Sequence, residues 1–148
     1  MGAVLQQLRE WLPPSFEDLA RPLGVGVMDS DGRGTILHKG PLPEAVAASC
    51  AIPYVFSPVM VEGEAFQDGG AVDRTGLQAW RSLRGVRPTL LHLVDRTGGA
   101  PTNPDDIPTD VSVVRTRRSG ARFWSLGDFE AQVIEAEQST LTDLDHAT

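Results

Sequence analysis

The chain has 148 residues, 41% of them hydrophobic, a net charge of −7 and an isoelectric point near 4.8. That length suffices to bury the core of one domain, and that apolar share excludes a disordered chain. The acidic balance excludes a sequence-independent grip on nucleic acid and a simple electrostatic hold on anionic lipid, because both draw on basic faces. A lone cysteine, Cys50, rules out an internal disulfide and fits a reducing compartment. Set in an Ala-rich apolar segment, it reads as a small core residue. No apolar run approaches the roughly 18 residues of a membrane span. The N-terminus has no basic stretch ahead of an apolar one, and Gln6 stands where a myristoylation pattern has Ser or Thr. The expectation is a cytoplasmic protein, at most peripheral at membranes.

Taken in chain order, AVLQQLREWL (3–12) sets Val4, Leu5, Leu8, Trp11 and Leu12 on one helical stripe that Pro13-Pro14 ends. Ser15 caps a short turn, SFEDLA. LGVGVMD (23–29) and TILHKG (35–40) read as strands of a hairpin, with Asp31-Gly32 as its turn. LPEAVAASCAI (42–52) is a small-residue helix stopped by Pro53. SPVMVEG (57–63) and EAFQDG (64–69) form a second strand pair across a Glu62-Gly63 turn, and LQAWRSLRG (77–85) is an amphipathic helix closed by Gly85. PTLLHLVD (88–95) is nearly continuous in apolar residues, the pattern of a strand covered on both faces of a parallel sheet. Residues 96–109 read as a Pro/Gly/Asp-rich loop and VSVVRTR (111–117) as a further strand. The tail predicts a long helix with Phe129, Val133, Ala136 and Leu141 on its inner side. Mixed strands and helices make an α/β domain. Such a domain ordinarily opens with a central strand, whereas this chain opens with a surface-type helix, as the second half of a fold would.

Asp68 ends a short strand and is followed by Gly69 and Gly70. Alone, Asp-Gly-Gly marks no more than a strand-to-loop turn. Its context is more specific. GPLPEAVAASCAIPYVFSPVMVEGEAFQDGG (40–70) resembles the patatin-like phospholipases, whose pattern is similar to GPL-x-x-AV-x-AS-x-AIP-x-x-F-x-PV, a hairpin and then Asp-Gly-Gly or Asp-Gly-Ala. The matching positions are Gly40, Pro41, Leu42, Ala45, Val46, Ala48, Ser49, Ala51, Ile52, Pro53, Phe56, Pro58, Val59 and Asp68-Gly69-Gly70. FEDLARPLGVGVMDSDGRGTIL also looks like the family segment that precedes this one, so the resemblance spans roughly residues 15–95. It implies a partial three-layer α/β/α domain, a mixed sheet flanked by helices with its first strands missing, over one domain of residues 1–148. It further implies lipid-ester hydrolysis by a Ser–Asp dyad without cofactor or metal, and phospholipid or another lipid ester as substrate. Asp68 is then the proton acceptor, and Gly69 and Gly70 let the nucleophile loop approach. A carboxylate is a weak base in water, and becomes a useful one when held against a single hydroxyl in a partly desolvated pocket.

The sequence departs from the family at the nucleophile. No Gly-x-Ser-x-Gly occurs among the 148 residues. Ser119 lacks the preceding glycine, Ser30 lies in the DSDG turn, and Ser49 matches a packing position. The glycine-rich oxyanion loop is missing too, and removing even one such donor costs about 2.7–4 kcal/mol. Two readings follow: the C-terminal portion of an acyl hydrolase, completed by an N-terminal portion that carries the serine, or a non-catalytic relative that acts by binding, whose bared apolar surface would drive self-association.

Other features carry less. Asp29-Ser30-Asp31-Gly32 resembles a calcium loop, yet its twelfth position is Gly40. His38, His92 and His146 have no ligand spacing, and His92 reads as a satisfied core or strand-end residue rather than a ligand. Arg115, Arg117, Arg118 and Arg122 form a basic patch that reads as a solvated face rather than a site for lipid head groups, and Phe123-Trp124 an aromatic pair that reads as buried against the last helix rather than lipid-facing. Asp73 supports the site indirectly, and Arg74-Thr75-Gly76 stands where the family often shows Asn-x-Pro.

Overall fold

The computed structural model describes residues 1–94, 107–116 and 128–146. Its contacts divide into two compact units, Met1–Val86 and Arg87–Thr148, each with its own sheet.

The first unit is built on two hairpins. β1 (Val25–Met28) and β2 (Gly34–Leu37) form one, β3 (Val59–Val61) and β4 (Glu64–Asp68) the other, and β1 pairs with β4 to give an antiparallel sheet of order β2-β1-β4-β3. Turn chemistry fixes both registers. In the first, Oδ1 of Asp29 accepts the backbone N–H groups of Asp31 and Arg33, both at 2.9 Å, and Gly32 takes a φ of 77°. That carboxylate is consumed by its own turn, which accounts for the DSDG segment without a cation. In the second, Glu62 at φ 50° and Gly63 at φ 90° supply the two left-handed residues that a tight hairpin demands.

α2 (Leu42–Ser49) starts next to Pro43, whose fixed φ suits a first helical turn, and packs on β1, β3 and β4. Its Ala45, Ala47 and Ala48 are fully buried, so the helix backbone comes close to Val25, Val27, Val59 and Phe66. Cys50 is a correction: it is exposed at the helix C-cap, its N–H bonded to Ala47 and Ala48, while the alanines around it fill the core. α1 (Gly2–Trp11) lies on α2, with Leu5, Leu8 and Leu12 against the core and Arg9 paired to Glu44 at 2.6 Å. Its apolar stripe is narrower than expected: Trp11 is 72% exposed and Val4 also faces solvent. Between α1 and β1, Ser15 and Asp18 make a reciprocal capping box around the turn Phe16–Asp18, which buries Phe16.

Strand alternation sends Val25 and Val27 toward α2, and therefore Gly24 and Gly26 to the other face. There α3 (Leu77–Arg84) packs on β2, with the Trp80 ring over Gly24. Gly85, at φ 78°, ends this helix as expected.

In the second unit, β5 (Thr89–Val94) pairs in parallel with β6 (Val111–Thr116), and α4 (Phe129–His146) packs on β6. The parallel pairing agrees with the apolar run, but burial on both faces does not hold. Leu91 and Leu93 are buried, whereas Leu90 and Val94 are 57% and 42% exposed among the described residues. His92 is satisfied as expected, its Nε2 lying 2.9 Å from the Thr116 hydroxyl. The inner stripe expected of α4 is corrected too, since Val133, Ala136 and Leu141 are exposed. The helix engages β6 through polar groups instead: Asp143 accepts the Arg115 N–H at 2.7 Å and Ser139 donates to the Arg115 carbonyl. Arg117, Arg118, Ser119, Arg122, Phe123-Trp124 and most of the 96–109 loop lie outside the described residues, as do the side chains of Phe129 and His146. Taken unit by unit, the elements are mixed α/β, as expected.

Candidate active site

Asp68 is the last residue of β4 and sits opposite Val27 of β1. Its N–H donates to the Ala51 carbonyl at 3.0 Å, which ties the strand end to the segment leaving α2. The two strands share only Val27–Asp68 and Met28–Gln67, so β1 runs on past the end of β4 by Gly26 and Val25. The chain then turns at once, because residues Gly69–Ala71 form a single 3-10 turn capped by the Asp68 side chain, whose Oδ1 accepts the Gly70 N–H at 2.8 Å. Gly69 permits this. A Cβ there would lie 2.6 Å from the Gly26 carbonyl carbon and 2.7 Å from the Val27 nitrogen, closer than any real side chain sits. What comes close to Gly69 is β1's own backbone, where the resemblance implied a nucleophile loop.

Asp68 is half-buried and lines a cleft of about 480 Å³. One oxygen, Oδ1, is engaged by Gly70; Oδ2 has no hydrogen-bond partner among the described residues. Such an arrangement fixes the carboxylate's orientation and leaves one oxygen to accept a proton from a hydroxyl brought into the cleft.

The rest of the lining comes from both ends of the unit. Ser49, at the end of α2, reaches the cleft, but its hydroxyl donates to the Val46 carbonyl at 2.9 Å and so is not offered to Asp68. Asp73 lies on the rim. Its N–H donates to the Gly69 carbonyl, and its Oδ1 accepts from the Thr75 N–H, the Thr75 hydroxyl and the Gly76 N–H at 2.9–3.1 Å. Asp73 thereby builds the loop that Arg74, Thr75 and Gly76 form in place of Asn-x-Pro, and Gly76 takes the left-handed φ of 59° needed to enter α3. The structure thus brings Asp68, Gly70 and Asp73 to one cleft and leaves Ser30 and Asp31 elsewhere. Sequence reasoning missed the opposite wall, made by Gly24, Gly26, Ile36 and Trp80. Its signal was present as two glycines alternating within a strand-forming run. No cluster of three metal-ligating side chains occurs among the described residues.

Residues 15–79 match the family model described as Patatin-like phospholipase. The match runs from the capping box into α3 and includes Asp68, both hairpins and α2. That segment is thus similar to the patatin-like phospholipases. Among the described residues no helix is long and apolar enough to cross a membrane.

Proposed function

We propose that this chain supplies the basic half of a Ser–Asp acyl-hydrolase site, with Asp68 as the proton acceptor and a lipid ester as substrate. The observation that carries the reading is the state of Asp68: anchored through Oδ1, with Oδ2 unpartnered among the described residues, half-buried, and lining a cleft of substrate size. In the reaction a serine hydroxyl from outside these residues enters the cleft and gives its proton to Oδ2 as the oxygen attacks the ester carbonyl. The alcohol leaves with that proton, and water, deprotonated by the same carboxylate, releases the acid. Gly69 holds the carboxylate at the strand end and Gly70 orients it.

The test is hydrolysis of p-nitrophenyl acyl esters. The 148-residue chain alone is expected to give no turnover above background. Co-produced with a separate polypeptide that carries a patatin-like Gly-x-Ser-x-Gly segment, it is expected to hydrolyse the ester and to lose that activity with Asp68→Asn.

A second reading, a module that binds without catalysis, has one observation in its favour. Both cleft hydroxyls are tied down: Ser49 by Val46, and Thr75 by Asp73 and the Leu77 N–H. It predicts saturable ligand binding with no turnover under any pairing.

A further inference from the structure

We infer that the floor of the cleft between Ile36 and Trp80 receives the acyl chain of an uncharged ester, and that Gly26 is bare to make room for it. The inference rests on the reading of Asp68 given above and assigns the part of its site that selects the chain.

Three glycines meet at this point of the sheet, and packing explains two. A Cβ on Gly24 would lie 2.6 Å from Cζ3 of Trp80 and 2.7 Å from Cγ2 of Ile36, and one on Gly69 would enter the backbone of β1. Gly26 is different. Its nearest neighbour would be Cδ1 of Ile36 at 4.0 Å, its φ is not left-handed, and it is exposed. A strand interior disfavours glycine, which gives up both packing and rigidity. Alanine would fit position 26 without strain, so no atom of the described residues claims the space beside it. That space belongs to the cleft that holds Asp68.

Its chemistry is divided. Ile36 and the Trp80 ring are apolar walls, and the ring is held by Gly24 beneath it and by the Arg84 guanidinium 5.8 Å from its centre. Asp68, Asp73, Arg74 and Thr75 supply the polar part. Two carboxylates against one guanidinium disfavour an anionic ligand, so a neutral ester is held better than the fatty carboxylate its cleavage would release.

The experiment uses the full chain with Trp11→Phe and Trp124→Phe, which leaves Trp80 as the sole tryptophan of the three. Monoacylglycerols of about four, six and eight carbons, below their aggregation concentrations, are titrated against its fluorescence. The expected result is a saturable change whose affinity rises about fourfold per added methylene. Octanoate should bind at least tenfold more weakly than monooctanoylglycerol. Gly26→Leu should lower affinity at least tenfold with an unchanged circular dichroism spectrum. If that variant does not fold, Gly26→Ala replaces it, with a drop of about threefold expected. Equal affinity for all chain lengths, or undiminished binding by the folded Gly26 variant, overturns the inference. The failures separate cleanly: Asp68-dependent hydrolysis with binding indifferent to Gly26 removes the acyl floor alone. Gly26-dependent binding with hydrolysis indifferent to Asp68 removes the dyad reading alone.

Discussion

At the scale of single residues, the motif glycines have unequal tasks. Gly69 faces the backbone of Gly26 and Val27, which cannot yield, whereas a Cβ on Gly70 would meet only the Asp68 carboxylate, at 3.1 Å. Gly69→Ala is therefore expected to cost about 1–3 kcal/mol, the usual range for overpacking, and Gly70→Ala less than about 1 kcal/mol. Urea denaturation of the two variants checks the order. Glu17 carries a pH signature. Its own backbone N–H and that of Gly40 hold the carboxyl below the ordinary glutamate value of 4.5, with Ser15 and Lys39 adding to the effect. Because the folded value is depressed, this stabilisation is complete above pH 4.5 and disappears as pH falls through the folded midpoint. Carboxyl NMR should place that midpoint under 4.5, with the Gly40 amide shift following the same curve; a midpoint at or above it contradicts the contact. Asp68 was legible in the sequence because a long patterned segment precedes it. Gly26 left a trace as one of two alternating strand glycines, but its meeting with Trp80 was not legible, since only the fold brings a strand glycine and a distant helical tryptophan to one wall.

At the scale of elements, turn chemistry made both hairpins readable. The DSDG and Glu62-Gly63 turns each put left-handed residues where the strands reverse. Glu62 is the weaker choice, because a residue with a long side chain pays for a φ of 50° that Asn tolerates better. Glu62→Asn is expected to raise stability by about 0.5–1 kcal/mol, seen as a higher Tm by calorimetry; an unchanged or lower Tm would show that the turn is not strained. The second unit was read less well for a physical reason. An apolar run such as TLLHLV says that a strand is apolar, not which face finds a cover, and the buried set here is only Leu91 and Leu93. The α4 stripe failed likewise. The last helix meets β6 through Ser139 and Asp143, polar residues that hydrophobic periodicity ignores.

At the scale of the molecule, the main apolar cluster lies within the first unit: it draws on residues from Phe16 to Phe66, with α1 packed against it. A chain ending at Val86 is therefore expected to fold on its own, with a dispersed amide spectrum and a cooperative thermal transition. A collapsed spectrum would show that the second unit is needed for the first to fold. The α/β class was legible from alternation and helical periodicity. The presence of two separate sheets was not, because strand order depends on contacts far apart in sequence. The central proposal is that Asp68 takes a proton from a serine brought to it. The most direct measurement is p-nitrophenyl ester hydrolysis by the chain co-produced with a polypeptide that carries a patatin-like Gly-x-Ser-x-Gly segment, comparing the unaltered chain with its Asp68→Asn variant. The expected result is a fall in kcat/KM of about 10²- to 10⁴-fold for Asp68→Asn, the range for loss of a general base. Undiminished hydrolysis by that variant, or Asp68-independent turnover by the 148-residue chain alone, would contradict it.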